Sequence, residues 1–241
     1  MPAAPLFFDP GGIRPQIAMA SQLDLEEQEQ LDQLKHFWKR YGNAITWLLI
    51  VVLGAFAAYN GWQYWQRKQA AEAAVMYEQI ESAAKAGDLT RLERALADMQ
   101  ERYAGATYAH QAALLAARVF YDKDKADRAK AALAWVADKA GDEGLQAVAR
   151  LRLAGIALEA RAYDEALAQL SAKLPAEFAA LADDRRGDVL LAQGKKAEAQ
   201  AEYRKAYKGM DERAEYRRLV EVKLNALGVD VSEPAAAEVK K

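Results

Sequence analysis

From Tyr41 to Gln66 the chain places 26 consecutive residues without a charge, and the centre of that run, Ala44–Tyr59, reads AITWLLIVVLGAFAAY. About 20 apolar residues in a helix cross the hydrocarbon of a bilayer. The pattern therefore predicts a membrane-spanning helix within 41–66, centred on Ala44–Gln63. Its edges carry the amphipathic rings that collect at headgroup level. Trp38 and Tyr41 flank one end, Tyr59, Trp62, Tyr64 and Trp65 the other, and Trp47 lies just inside. Three cations (Lys35, Lys39, Arg40) precede the span and two (Arg67, Lys68) follow it, so the charge rule leans towards a cytoplasmic N-terminus. The rest of the chain then lies outside the cytoplasm. Gly54 with Ala58, and Ala57 with Gly61, are small pairs four apart, a spacing that lets membrane helices approach closely. Ala55-Phe56-Ala57 also matches a signal-peptide cleavage pattern. The segment before it is over 40 residues long and acidic, however, and the apolar run continues past it.

Upstream, residues 1–20 hold four of the six prolines and read as irregular. Residues 1–22 are expected to be a disordered tail. Met19 directly precedes the ordered pattern, so translation is expected to start there, with residues 1–18 an extension of the gene boundary. Residues 23–40 read as a cytoplasmic amphipathic helix. Leu31, Leu34, Trp38 and Tyr41 share a face, with acids early and bases late, as the helix dipole favours.

From Gln69 to Leu227 apolar positions recur at spacings of three and four, which is helical. Breaks are expected at Gly87-Asp88, Gly105, Lys123-Asp124, Gly141-Asp142, Pro175, Gly194 and Gly209. The last hairpin carries the clearest frame: Gly187, the turn Gly194, Ala199, Tyr203 and Ala206. Small residues let two helices close up while an aromatic ring fills the groove between them. The same frame upstream gives Ala154, Ala166 and Leu170, then Ala117, Ala129 and Leu133, and first Ala83, Ala95 and Met99. The anchors Ala95, Ala129, Ala166 and Ala199 are 34, 37 and 33 residues apart. The tetratricopeptide repeat has a period of about 34 residues. The expected fold is all-α: one transmembrane helix, then a tetratricopeptide-like solenoid of about four hairpins over 69–227. A final helix near 212–226 caps it. Residues 228–241 are expected to be a disordered tail.

Composition narrows the chemistry. Alanine supplies 54 of the 241 residues and cysteine none, which excludes disulfides, thiol nucleophiles, Cys-based metal sites and lipid-modified cysteine. Net charge is −2, and from Gln69 onward 27 bases face 29 acids, so no anionic polymer is an expected partner. The two histidines, His36 and His110, have no second histidine at ligand spacing, and no metalloprotease, nucleophile-elbow or phosphate-loop motif occurs. Trp135 and Tyr163 are expected to pack between repeats, and the carboxylates to form solvated surface pairs. No catalytic, cofactor-binding or metal site is expected, and no cofactor.

The segment LDLEEQEQLDQLKHFWKRYGN, the single span, and then WQYWQRKQAAEAAVMYEQI together resemble the YfgM family, from about Leu23 to Leu227. That resemblance implies a bacterial inner-membrane protein with its N-terminus in the cytoplasm and a periplasmic tetratricopeptide-like domain. It implies an ancillary subunit of the SecYEG translocon, a membrane-anchored periplasmic chaperone of the PpiD type as partner, and a task in passing exported polypeptides to periplasmic chaperones. It supplies no catalytic residues. An adaptor regulating envelope stress signalling or envelope assembly stays open beside this reading, as does an enzyme with an unrecognised site.

Overall fold

The computed structural model describes residues 25–229, with side chains from Glu29 onward. The expectations for residues 1–22, for a start at Met19 and for the tail beyond Val229 lie outside the described residues. The chain divides into two compact units, Met1–Trp62 and Gln63–Lys241. The described residues are helical: α1 (Leu25–Ala86), α2 (Leu89–Arg102), α3 (Thr107–Asp122), α4 (Ala126–Lys139), α5 (Glu143–Glu159), α6 (Tyr163–Leu170), α7 (Ala176–Ala192), α8 (Lys196–Gly209) and α9 (Glu215–Ala226).

The amphipathic segment, the span and the first helix of the array were expected as separate pieces. They form one helix of 62 residues. No proline falls within it, and Gly42, Gly54 and Gly61 weaken a helix without breaking it.

In the first unit, Trp47 and Leu48 through Leu53 stand exposed, as does Phe56. The polar side chains there turn back on their own helix. Thr46 Oγ1 donates to the Gly42 carbonyl at 2.8 Å and Asn60 Nδ2 to the Phe56 carbonyl at 2.8 Å. A bilayer interior offers no other partner, so this internal pairing suits a spanning helix.

In the second unit, burial begins at Ala73 and continues through Ile80 and Ala83 on α1. From α2 on, each helix packs on the next, and α3–α5 and α5–α7 also meet, the arrangement of stacked hairpins. The hairpins are α1–α2, α3–α4, α5–α6 and α7–α8, with α9 following.

The first helix of every hairpin ends in the same way. Gly87, Asp124, Arg161, Gly194 and Gly228 all adopt left-handed backbone, with φ of 68°, 57°, 60°, 80° and 81°. The residue after each donates its N–H back across the turn: Asp88 to Ala83 (3.1 Å), Lys125 to Phe120 (2.8 Å), Ala162 to Ala157 (2.8 Å), Lys195 to Leu190 (2.9 Å) and Val229 to Leu224 (3.0 Å). This is the Schellman closure, which satisfies carbonyls that a helix end leaves bare. α9 closes as the first helices of the four hairpins do, and Val229 packs against its cluster.

These turns set the repeat register. The residues five and nine positions after each turn are Leu92 and Leu96, Ala129 and Leu133, Ala166 and Leu170, and Ala199 and Tyr203, all buried. The first frame therefore needs a correction. Ala95 is only partly buried, and the position equivalent to Ala129 is Leu92. Met99, fully buried, is the counterpart of Val136 and Ala206 instead. Seven residues before each turn stand Ile80, Ala117, Ala154 and Gly187, so Ile80 replaces Ala83 in that frame. Residues 92 and 95 share a helix face, and only the turn geometry separates them.

The break between α5 and α6 was implied only by the repeat frame of Ala154 and Ala166. Arg161 takes a conformation that glycine usually supplies, so no residue type announced the turn.

Candidate interaction groove and membrane anchor

Each repeat-packing position has a defined place. Ala117, Ala129 and Leu133 lie in the cluster shared by α1 to α5. Ala154, Ala166 and Leu170 lie in the next, and Ala199 and Tyr203 in the last. Gly187 and Tyr203 fit each other directly. A Cβ added at Gly187 would lie 2.5 Å from Tyr203 Cε1 and 2.6 Å from Cδ1. The ring occupies the volume a side chain would need. In the two preceding hairpins the same positions hold Ala117 with Leu133 and Ala154 with Leu170, a larger small residue with a smaller filler, and in the first they hold Ile80 and Leu96.

A polar network, invisible in the residue pattern, joins α7 to α8 and α9. Asp184 is fully buried, contrary to the expectation that the carboxylates are solvated. Lys223 Nζ donates to Asp184 Oδ1 at 2.7 Å and Oδ2 at 3.0 Å, and to Asp188 Oδ1 at 2.7 Å. The Tyr216 hydroxyl donates to Asp184 Oδ2 at 2.8 Å, and the Tyr203 hydroxyl to Asp188 Oδ1 at 2.8 Å. Burial, followed by the bond to Asp184, raises the Tyr216 phenol to about 12. Burial and then Asp188 push the Tyr203 phenol further up. Both rings thus stay neutral donors to the carboxylates of buried Asp184 and part-buried Asp188.

His110 is also buried, and its ring stacks on Trp135 with centroids 4.9 Å apart. Its pKa is lowered, chiefly by burial, against smaller raising contributions from the Lys139 backbone and Asp142. It serves as core packing for α3 against α4. Among the described residues no group of His, Asp and Glu is arranged to hold a metal ion.

A groove runs along α3, α5 and α7, the first helices of three successive hairpins. Two cavities lie in it. One of about 390 Å³ lies between α3 and α5, with Ala117, Leu133 and Ile156 among its walls. The other, of about 360 Å³, lies between α5 and α7, against Val148, Leu151, Phe178 and Leu181. Arg152, Gly155 and Glu159 belong to both. Arg152 and Arg185 each stand nine residues before a turn, and Arg118 stands six before. At those two positions α9 carries Leu219 and Val222, both exposed. None of these was singled out from the sequence. The equivalence of Arg152 and Arg185, 33 residues apart, was the available signal.

On α1, Trp38 lies across Gly42, where an added Cβ would meet its Nε1 at 3.1 Å. Trp38, Tyr41, Tyr59, Trp62 and Trp65 are exposed. At Gly54 an added Cβ would meet nothing within 4 Å, and Ala58, one turn on, is exposed too. Among the described residues, one helix is long and apolar enough to cross a membrane.

A family model for the tetratricopeptide repeat-like domain matches residues 35–229. A Neisseria gonorrhoeae protein named ancillary SecYEG translocon subunit is 34% identical over 207 residues, 84% of this chain and 98% of that relative. The Escherichia coli K12 protein of the same name is 29% identical over 209 residues, 84% of this chain and 97% of its own length. A third of that name, from Haemophilus influenzae, is 26% identical over 76% of this chain and 89% of its own length. No solved structure matches the chain. With the family model spanning both the anchor and every hairpin, and the relatives aligned almost end to end, the chain belongs to the family of ancillary SecYEG translocon subunits with a tetratricopeptide repeat-like domain, the YfgM family.

Proposed function

We propose that the chain is a single-pass bacterial inner-membrane protein that associates with the SecYEG translocon and presents its helical array to polypeptides leaving the channel. The N-terminus lies in the cytoplasm and the array in the periplasm, the orientation that the cations before the span favour. The array hands exported proteins to periplasmic chaperones, a membrane-anchored chaperone of the PpiD type among them. The role is binding, not catalysis. One observation carries this reading: a relative named as a translocon subunit aligns over 84% of this chain and 98% of its own length, at 34% identity. Tethering gives it physical sense. A weak binder held beside a channel meets its clients at a high effective concentration. The small-residue face of Gly54 and Ala58 suits close approach to a partner's membrane helix.

The test is crosslinking in native membranes at native expression level, then mild-detergent purification and mass spectrometry. Recovery of channel subunits together with a periplasmic folding factor supports the proposal. Recovery of envelope regulators or cell-wall proteins without channel subunits overturns it in favour of an adaptor role.

A further inference from the structure

Arg152 lines both groove cavities, and among the described residues it is the groove arginine that lacks a carboxylate. Arg118 Nε lies 3.8 Å from Asp122, and Arg185 Nη1 lies 3.5 Å from Asp188. Glu159, the groove's own acid, accepts from the Tyr121 hydroxyl. The hydrogen bond that Arg152 makes runs from Nη1 to the Leu114 carbonyl at 3.2 Å. A guanidinium has five N–H donors in a fixed fork, so most of this one's capacity stays open. Burial and then the neighbouring Arg118 disfavour its charged form. The fold thus holds an exposed cation on the groove floor beside a like charge, an arrangement that an incoming anion relieves.

Gly155, one turn along α5, gives a second and independent observation. Glycine is a poor choice inside a helix. A Cβ there would meet no atom within 4 Å, so nothing in the fold requires glycine. Its effect is on the groove: the wall is low beside Arg152, and a backbone can cross there between the two cavities.

We propose that the groove binds an extended segment of a partner polypeptide, with an acidic side chain paired to Arg152, the backbone passing over Gly155, and apolar side chains entering the cavities on either side. A carboxylate suits the planar fork of arginine. The cavity walls (Leu133 and Ile156 on one side, Leu151 and Phe178 on the other) suit apolar flanks. This inference rests on the reading of the array as a protein-binding module and adds the chemistry of what it takes.

The experiment uses the full chain in nanodiscs and two labelled peptides with blocked ends: Leu-Phe-Ser-Glu-Ser-Phe-Leu and its counterpart with Gln in place of Glu. Fluorescence anisotropy is expected to show the acidic peptide binding about tenfold tighter at low salt, an advantage that shrinks as salt rises. Arg152→Gln is expected to erase the difference, Arg152→Lys to keep part of it, and Gly155→Leu to weaken both peptides together. Thermal unfolding of each variant checks that the fold is kept. Equal binding of the two peptides, binding of neither, or an advantage that survives Arg152→Gln overturns the inference. If channel subunits are still captured while the peptides bind equally, this inference alone fails. If the peptides are discriminated but no channel subunits are captured, the translocon reading alone fails.

Discussion

The Lys223 ammonium reaches 2.7 Å from Asp184 Oδ1, across the interface between α9 and α7. Asp184 is fully buried, and the ammonium also touches Asp188. Fixing α9 this way makes the last helix continuous with the array. Lys223→Ala should leave a buried carboxylate whose remaining donor is the Tyr216 hydroxyl, a change worth about 3 kcal/mol or more. The expected result is early exchange of α9 amides, measured by hydrogen exchange, before the rest of the array opens. Pairing Lys223→Met with Asp184→Asn and Asp188→Asn should recover part of the loss. If Lys223→Ala leaves α9 protection unchanged, the network does not hold the helix.

The contact between Gly187 and Tyr203 yields a paired prediction. Gly187→Ala puts a methyl carbon 2.5 Å from a ring that is buried and tethered through its hydroxyl to Asp188. Overpacking of that kind costs about 1–3 kcal/mol. The double variant Gly187→Ala with Tyr203→Leu recreates the Ala154–Leu170 pair of the preceding hairpin. It is expected to be less destabilised than the two single changes summed, as chemical denaturation can measure. Additive losses would mean that size is not what couples the positions.

Arg161 holds left-handed backbone at φ 60° where three of the five equivalent turns use glycine. A side chain in that region costs about 1–2 kcal/mol. Part of this is offset because glycine makes the unfolded chain freer. Arg161→Gly is therefore expected to stabilise the protein by about 0.5 kcal/mol, seen as a small rise in Tm. The same change at Arg150, inside α5, should lower it.

His110 makes stability depend on pH. Its folded-state pKa lies below the ordinary 6.5, principally through burial. The unfolded chain therefore takes up the proton first as pH falls. Stability is full above 6.5, declines as pH drops from there towards the folded-state pKa, and levels off below it. Comparing the wild type with His110→Phe between pH 7.5 and 5 should show a shallower decline in the variant. Identical slopes would assign the acid sensitivity to other groups.

Much of the fold was legible because its signals are local. An uncharged run of 26 residues with aromatic ends is long and apolar enough to cross a membrane. In the last hairpin, Gly187, Gly194 and Tyr203 stand out against an alanine-rich background. The first hairpin shows the limit of that reading. Leu92, Ala95 and Met99 lie on one helix face, and alanine satisfies a small-residue frame almost anywhere. The register follows from the turn at Gly87, and the turn at Arg161 uses a residue that does not announce left-handed backbone.

By itself the sequence determined the helical class, the span, the lack of cysteine chemistry and the rough period of the repeats, since each depends on spacing within a few residues. Tertiary structure alone decided which acids are buried and which groove cation is left without a carboxylate. Asp184 and Lys223 are 39 residues apart and look like ordinary surface charges until α9 folds against α7. Arg152 shares its repeat position with Arg185 and differs from it in its neighbours. Charge acts through space, and the distances that set its energy exist only once the hairpins have stacked.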